Sequence, residues 1–576
     1  MADLRTEYPR PQLRRDSYLS LNGTWEFETD NTRSGMEREV YKKSNLSGKI
    51  TVPYCPESTL SGIGNTDFIN AVWYRKSVAM PEDFKNKRVI LHVDACDYAS
   101  TVFVNGIAVG CHRGGYTPFS FDVTDKLISG ENSFVIYAED DPRSRRQPIG
   151  KQSARLYSAG CFYTRVTGIW QSVWLEAVPA GHILSMRQYP NISAPAVTLD
   201  IKVTAAAIGE NMRIVAMYKG KTVGTAEAVI HGENVTVTVP LTEKHLWEIG
   251  NGRLYDLTLS LSGGDDVTSY FGLREIGWDK NGMKLNGKRF FGRYILDQGY
   301  YPDGIYTAPS DARLKQDILD SIALGFNGSR AHEKIFEPRY LYHADTLGYL
   351  VFGEFPGWGL DISRYDILDA VLPEWLEEVE RDFSHPCIIG WCPFNETWDV
   401  DGRKQCDELI RTVYRVTKVV DVTRPCIDTS GNYHVETDIF DVHAYSQDPA
   451  EFAEQFGKDG TVYPERINAE TARRQKYDPE KCFMVSEFGG IGWSLSDKAW
   501  CYGNAPKTAE EFVARYKGLV DVLLDCPHVS GFCYTQLTDV EQEQNGLLTY
   551  DRRFKFPPEV IRAITARKAG IEETEE

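Results

Sequence analysis

This 576-residue chain is short of basic residues: 64 Lys and Arg face 82 Asp and Glu, a formal net charge of −18. That balance argues against nucleic acid or an anionic membrane surface as a partner. No run of about 18 consecutive apolar residues occurs, so no transmembrane helix is expected. Residues 1–10 hold no apolar stretch of the secretory kind; a leader is absent or was removed, and a cytoplasmic location is expected. The 12 cysteines include no Cys-x-x-Cys pair, which leaves no zinc or dithiol motif. Several lie in apolar runs, as Cys392 does after Ile388-Ile389-Gly390-Trp391, and are expected to be buried reduced thiols. Neither a metal nor a cofactor is called for.

What the chain does have is an ordinary globular balance, 42 % apolar and 25 % charged residues. At about 150 residues per domain its length implies three to four domains. Aromatics are abundant, with 31 Tyr, 26 Phe and 12 Trp, which suits both core packing and stacking on sugar rings.

Residues 1–178 read as β-rich. Alternating runs such as Val72-Trp73-Tyr74-Arg75 and Thr101-Val102-Phe103-Val104 recur between turn signals, the latter followed by Asn105-Gly106, a hairpin turn. Many short strands without a helical pattern predict a sandwich. Residues 179–275 continue with period-2 runs, among them Asn234-Val235-Thr236-Val237-Thr238-Val239; about seven strands predict an immunoglobulin-like sandwich, without the Cys…Trp…Cys frame of antibody domains.

From residue 276 to 576 short apolar runs alternate with amphipathic stretches. Eight strand candidates appear, at residues 289–292, 326–330, 349–353, 388–391, 425–428, 439–443, 483–486 and 529–534. Helical patterns separate most of them, one opening at Ser310-Asp311 and others at 367–383 and 509–524. Eight strand–helix units predict a closed (β/α)₈ TIM barrel. The alternative, an open doubly wound sheet, would need a Gly-rich phosphate loop after the first strand, and Phe291-Gly292-Arg293-Tyr294 is not one.

Barrel active sites lie at the carboxyl ends of the strands. Phe394-Asn395-Glu396-Thr397-Trp398 follows the fourth run and Ser486-Glu487-Phe488-Gly489-Gly490 ends the seventh, so each brings a carboxylate to the mouth. Two carboxylates across one mouth are what cleavage of a glycosidic bond requires, one to protonate the leaving oxygen and one to meet the anomeric carbon.

Nearly the whole chain resembles glycoside hydrolase family 2, the β-galactosidases, β-glucuronidases and β-mannosidases. Leu21-Asn22-Gly23-Thr24-Trp25, Val72-Trp73-Tyr74-Arg75, Val104-Asn105-Gly106 and Thr167-Gly168-Ile169-Trp170-Gln171-Ser172-Val173-Trp174 resemble its sugar-binding jelly roll. Phe271-Gly272-Leu273-Arg274-Glu275-Ile276 and Leu285-Asn286-Gly287-Lys288 resemble its passage from the immunoglobulin-like unit into the barrel. Asn395-Glu396 matches its acid/base motif, and Ser486-Glu487-Phe488-Gly489 its nucleophile motif.

The resemblance implies a retaining exo-glycosidase whose partner is a glycoside or oligosaccharide; whether the chain self-associates is left open. Glu396 would be general acid, then base, with a pKa above that of free Glu. Glu487 would be the ionised nucleophile, held charged by Arg330. Asn395 would bind the sugar 2-hydroxyl, and Tyr445 would lie near the nucleophile. His332 and Asp297 could hold sugar hydroxyls, and Trp358 and Trp493 could stack on a pyranose. Glu354 suits a structural partner of Arg330 or His332.

Two segments depart from the family's pattern. The usual tryptophan floor after the eighth strand is replaced by Cys533-Tyr534-Thr535-Gln536-Leu537-Thr538-Asp539. The Asn-x-Lys that binds a uronate is replaced by Glu543-Gln544-Asn545 before Gly546. The expectation is therefore a neutral nonreducing sugar, a β-D-galactoside by default. An α-L-arabinoside, a uronide met by Arg293 or Arg330, a transglycosylase and a non-catalytic carbohydrate-binding protein are the alternatives.

Overall fold

A computed structural model describes residues 4–399, 402–456, 464–467, 474, 477–494 and 499–573. Its amino-terminal part pairs a six-stranded with a four-stranded antiparallel sheet. Val72, Tyr74, Leu91, Val102, Phe134 and Leu175 are buried between them, the alternate positions that a half-buried strand turns inward. The Asn105-Gly106 hairpin is present: Ala99–Val104 pairs antiparallel with Ile107–Arg113. Both turn residues have positive φ, 51° and 76°, the geometry that matches the strand twist. A three-stranded and a four-stranded antiparallel sheet follow, spanning Ile183 to Gly272. Asn234–Pro240 turns Val235, Val237 and Val239 inward.

The carboxyl-terminal part holds seven parallel strands: β1 (Gly292–Asp297), β2 (Gly328–Ala331), β3 (Leu350–Glu354), β4 (Ile388–Cys392), β5 (Ile439–Ala444), β6 (Cys482–Gly489) and β7 (Gly531–Thr535). Their order is β4-β3-β2-β1-β7-β6-β5, so the first strand pairs with the last and the sheet wraps round. Helices α1 (Asp311–Ala323), α2 (Pro338–Leu347), α3 (Leu368–Asp382), α4 (Asp407–Val420), α5 (Pro449–Gln455) and α6 (Ala509–Asp525) lie between strands. Ser310 caps α1 by accepting from Arg313 N, and Thr508 caps α6 by accepting from Glu511 N, each satisfying an otherwise orphaned amide.

Two strand expectations are corrected. The first strand begins at Gly292, because Lys288–Arg289 instead pairs antiparallel with the preceding strand Gly282–Leu285. The expected strand at 425–428 is an irregular stave. It meets β4 through Trp391 N to Pro425 O (3.0 Å) and Ile427 N to Trp391 O (2.9 Å). On its other side the Asp428 carboxylate accepts from Val435 N and Glu436 N. The chain thus folds back on an acidic side chain where a regular strand would pair with β5.

The amino-terminal part reaches the carboxyl ends of the parallel strands through residues 149–163. Ile149 N donates to Trp358 O (2.8 Å) and Gly150 N to Pro356 O (3.2 Å). Gly150 has φ 54°, and a Cβ there would lie 2.2 Å from Glu333 O, so only glycine lets the backbone approach this closely. The next residue, Lys151, is thereby delivered to the mouth. No helix among the described residues is long and apolar enough to cross a membrane.

Candidate active site

The carboxyl ends of the parallel strands bring together most of the residues singled out in the sequence. Arg330, fully buried near the end of β2, is the hub. Its Nη1 donates to Glu487 Oε1 (3.1 Å) and to Ser486 O (2.9 Å), and its Nη2 to Asn395 Oδ1 (3.1 Å). Its Nε donates to Glu354, so Glu354 is indeed its structural partner. One guanidinium therefore fixes a residue after β4, the end of β3 and a carboxylate of β6. Its planar fork suits this, since several donors are set at fixed angles. Asn395, with Oδ1 spent on Arg330, keeps its buried Nδ2 without a partner among the described residues, a donor ready for a hydroxyl.

Glu487 receives a second hydrogen bond, from Tyr445 OH to Oε2. The Tyr445 ring stacks on Tyr502, with centroids 3.7 Å apart and planes 3° apart. Glu396 sits at φ 45°, a left-handed backbone costing about 1–3 kcal/mol for a non-glycine residue. Its N donates to Ser430 O (2.9 Å), which anchors that strained turn to the irregular stave.

Between the two carboxylates lies His443. Its Nδ1 is 2.7 Å from Glu396 Oε1, and its Nε2 is 3.0 Å from Ser430 Oγ and 3.5 Å from Glu487 Oε1. Ser430 Oγ donates to Asp441 Oδ2 (2.7 Å), so it is left to accept from His443 Nε2. The bond at Nδ1 then holds a single proton between imidazole and carboxylate.

The expected pKa of Glu396 is corrected here. Burial pushes its carboxyl up, but the bond and charge of His443, aided by Lys151 and Arg330, bring it below the ordinary value. His443 moves the opposite way: burial lowers it, and Glu487 and Glu396 raise it above an ordinary imidazole. The resting proton belongs to the pair, on the imidazole side. One carboxylate oxygen of Glu396, one of Glu487 and a nitrogen of His443 all lie within 4.8 Å of one another.

The remaining residues are placed as follows. His332 is buried with Nδ1 2.9 Å from Glu354 Oε2 and Nε2 3.9 Å from Glu487 Oε1; burial and neighbouring cations hold it neutral, well below an ordinary imidazole. Asp297 ends β1, accepts from Gly299 N (2.9 Å) and is raised to about 6, chiefly by burial. Trp358 donates from Nε1 to Asn395 O (2.9 Å), with Lys151 Nζ 3.6 Å above its ring. Trp493 is instead packed at the helix layer, 5.6 Å from Phe556 and 6.3 Å from Phe512. Arg293, suggested as a uronate ligand, lies at the amino end of β1, bound to Thr565 O and Glu572, because a strand's first residues lie at the opposite end of the parallel sheet from the carboxylates. In place of a tryptophan floor, Gln536 links the loops after β1 and β7, accepting from Gln298 Nε2 (2.9 Å) and donating to Asn545 Oδ1 (2.8 Å). Tyr534 faces outward, against Phe488 and Tyr516.

Three residues of the mouth escaped sequence reasoning. His443 stands two residues before Tyr445, so the period of two puts both on one face; that spacing could have found it. Lys151 and Tyr163 come from the sandwich, and no local pattern points to them. Tyr163 OH donates to Glu543, which also accepts from Asn545 Nδ2 (3.0 Å). Burial pushes the Lys151 ammonium down, but nearby Cys161, Glu543, Glu487 and Glu396 outweigh it and raise it. Lys151 Nζ makes no hydrogen bond among the described residues.

A model of the family 2 glycosyl hydrolase sugar-binding domain matches residues 63–179. A β-galactosidase of Thermoanaerobacter pseudethanolicus is 25 % identical over 61 % of this chain and 48 % of its own length. The β-glucuronidase of Mus musculus is 25 % identical over 70 % of this chain and 67 % of its own length. The chain thus spans about half the length of some of the curated relatives it matches. Among solved structures, an uncultured Clostridium sp. β-glucuronidase superposes with TM-score 0.79 at 20 % identity, covering 96 % of this chain and 99 % of that one. A Ruminococcus gnavus β-glucuronidase in complex with D-glucuronic acid gives 0.78 at 17 % identity, over 96 % and 99 %. The last two likenesses concern the fold.

Proposed function

The chain belongs to glycoside hydrolase family 2, and from that premise we propose that it is a retaining exo-glycosidase. In this reading residues 1–178 are a jelly roll, 179–275 an immunoglobulin-like sandwich and 276–576 a closed (β/α)₈ barrel with the irregular stave as its eighth member. One observation supports the reaction type: one carboxylate oxygen of Glu396 and one of Glu487 lie within 4.8 Å of each other, which places the two groups near the shorter of two known spacings. Carboxyl groups about 5–5.5 Å apart serve retention, whereas inversion needs about 6.5–9.5 Å to admit a water.

In the first step a Glu487 oxygen bonds to the anomeric carbon as the bond to the leaving oxygen breaks. Glu396 protonates that oxygen, drawing on the proton it shares with His443. In the second step water attacks the glycosyl ester, Glu396 takes a water proton, and Glu487 is released. Arg330 and Tyr445 hold Glu487 in line. The unpartnered Asn395 Nδ2 donates to the 2-hydroxyl, a bond that strengthens as the oxocarbenium character grows. Asp297 and His332 stand at the same mouth as hydroxyl partners.

For the sugar we keep a neutral glycoside, β-D-galactoside first and α-L-arabinoside next. Glu543 favours it: a buried carboxylate would face an incoming uronate. Lys151 favours the second reading, a uronide, because its ammonium makes no hydrogen bond among the described residues.

The test is a 2-deoxy-2-fluoro glycoside with a good leaving group, with sugars taken from an aryl glycoside panel. The label should map to Glu487, and the first-formed product should keep the substrate's anomeric configuration. An inverted first product, or a label on Glu396 or Glu354, refutes the assignment. A glucuronide turned over about 100-fold better than every neutral glycoside, equal to about 2.8 kcal/mol, replaces the first sugar reading with the second.

A further inference from the structure

A cavity of about 400 Å³ is lined in part by Glu396 and not by Glu487. Its walls include Phe162 from the sandwich, Trp358, Leu360 and Ile362 from the segment after β3, and Trp398 after Glu396. Phe162 and Trp358 lie 5.1 Å apart. Trp398 is 45 % exposed and touches Tyr433 by its edge, with ring centroids 6.2 Å apart. An indole this exposed on a carboxylate-bearing loop leaves apolar surface for something else to cover.

Most side-chain polar groups of the described residues that line this cavity are engaged internally. Trp358 Nε1 donates to Asn395 O (2.9 Å), and Trp358 N to Glu333 Oε2 (2.9 Å). Thr397 Oγ1 is engaged with Gln405 and with Thr429 at 2.8 Å. Asn395 Oδ1 is held by Arg330. Apart from the Asn395 amide, Glu396 itself and the Lys151 ammonium over the Trp358 ring, few side-chain groups among the described residues remain to pair with the hydroxyls of a second sugar ring. Hydroxyls buried without partners are costly, whereas a flat apolar group covers the aromatic walls at no such penalty.

Resting on the glycosidase reading above, we propose that this cavity is the leaving-group subsite and that it selects an aromatic aglycone over a second sugar. A general acid must lie within about 3 Å of the oxygen it protonates, so the atoms beyond that oxygen enter whichever space adjoins Glu396. Glu487, which must meet the opposite side of the anomeric carbon, takes no part in the lining.

The experiment compares three substrates carrying the same sugar, chosen from the aryl panel: its glycosyl fluoride, its 2-naphthylmethyl glycoside and a disaccharide. Naphthylmethanol and a sugar hydroxyl are both poor leaving groups, so their ratio reports binding beyond the oxygen and not acidity. We expect kcat/KM for the naphthylmethyl glycoside to exceed that for the disaccharide by about 10- to 100-fold. In Trp398→Ala the ratio should fall at least severalfold toward one, and in Trp398→Phe most of it should return. The fluoride needs neither acid nor aglycone, so it reports the sugar subsite alone. Turnover of the fluoride with a ratio at or below one, or a ratio untouched by Trp398→Ala, overturns the subsite and leaves the glycosidase reading standing. No turnover of any fluoride overturns both.

Discussion

Replacing Arg330 by Met removes the guanidinium that pairs directly with both Glu354 and Glu487. Both its partners are buried, with side chains 1 % and 5 % exposed. Removing one member of a buried ion pair costs about 3–5 kcal/mol, because the remaining charge is left without water or counter-ion. Burial already raises the Glu354 carboxyl, and Arg330 is the main influence lowering it. Without the guanidinium its folded pKa climbs further above the unfolded value of about 4.3. A carboxyl raised in the folded state costs nothing while both states are protonated. Relative to the parent, the deficit therefore appears above the parent's own raised folded pKa and grows until the variant's is passed, by about 1.4 kcal/mol for each unit of additional shift. Urea unfolding followed by tryptophan fluorescence at pH 4.5 and 7.5 measures this. The variant should show a lowered midpoint with an unchanged slope at pH 7.5, and a distinctly smaller loss at pH 4.5. Adding Glu354→Gln should restore part of the loss at pH 7.5, since one orphaned carboxylate is then gone. A loss independent of pH, or a double variant no better than the single one, would refute the charge argument and leave only lost packing.

Glu396→Gln should slow glycosides with poor leaving groups far more than activated aryl glycosides, by about 10²–10⁴-fold, and azide should restore turnover as the β-glycosyl azide; steady-state kinetics with product NMR decides it. His443→Gln should move the basic limb of kcat/KM to lower pH by about one unit or more, because the proton now leaves a carboxyl instead of a pair whose imidazole is raised; an unmoved limb would separate His443 from the catalytic proton. Asn395→Ala should lower kcat/KM for the parent glycoside by about tenfold or more while costing its 2-deoxy analogue much less, as measured by parallel progress curves. Lys151→Met should depress any residual glucuronide turnover selectively, and Glu543→Gln should raise it relative to neutral glycosides; equal effects on both sugars would exclude either residue from sugar selection.

Strands and helices were largely legible because burial imposes a period on the chain. Val235, Val237 and Val239 alternate since one face of their sheet is buried, and the Ser310 cap is local chemistry that needs no tertiary partner. The two carboxylates were legible for a related reason: a residue at the end of an apolar run in an alternating strand–helix chain must come to the mouth. The failures share the opposite cause. The stave at 425–428 has a strand's composition, but Asp428 draws the following amides back on themselves. Trp493 has the right place in sequence, yet its ring turns to Phe512 and Phe556.

What the sequence by itself determined was the order of elements, the sheets' inward faces and the chain positions of Glu396 and Glu487. Only the tertiary structure decided the protonation of the site and its outer walls. The charge on Glu396 depends on His443, which is 47 residues away, and on Lys151, delivered from another layer of the molecule by the close approach of Gly150 to Glu333. Electrostatic shifts fall with distance in space and with exclusion of water, not with separation along the chain. A residue's neighbours in sequence therefore cannot announce its pKa.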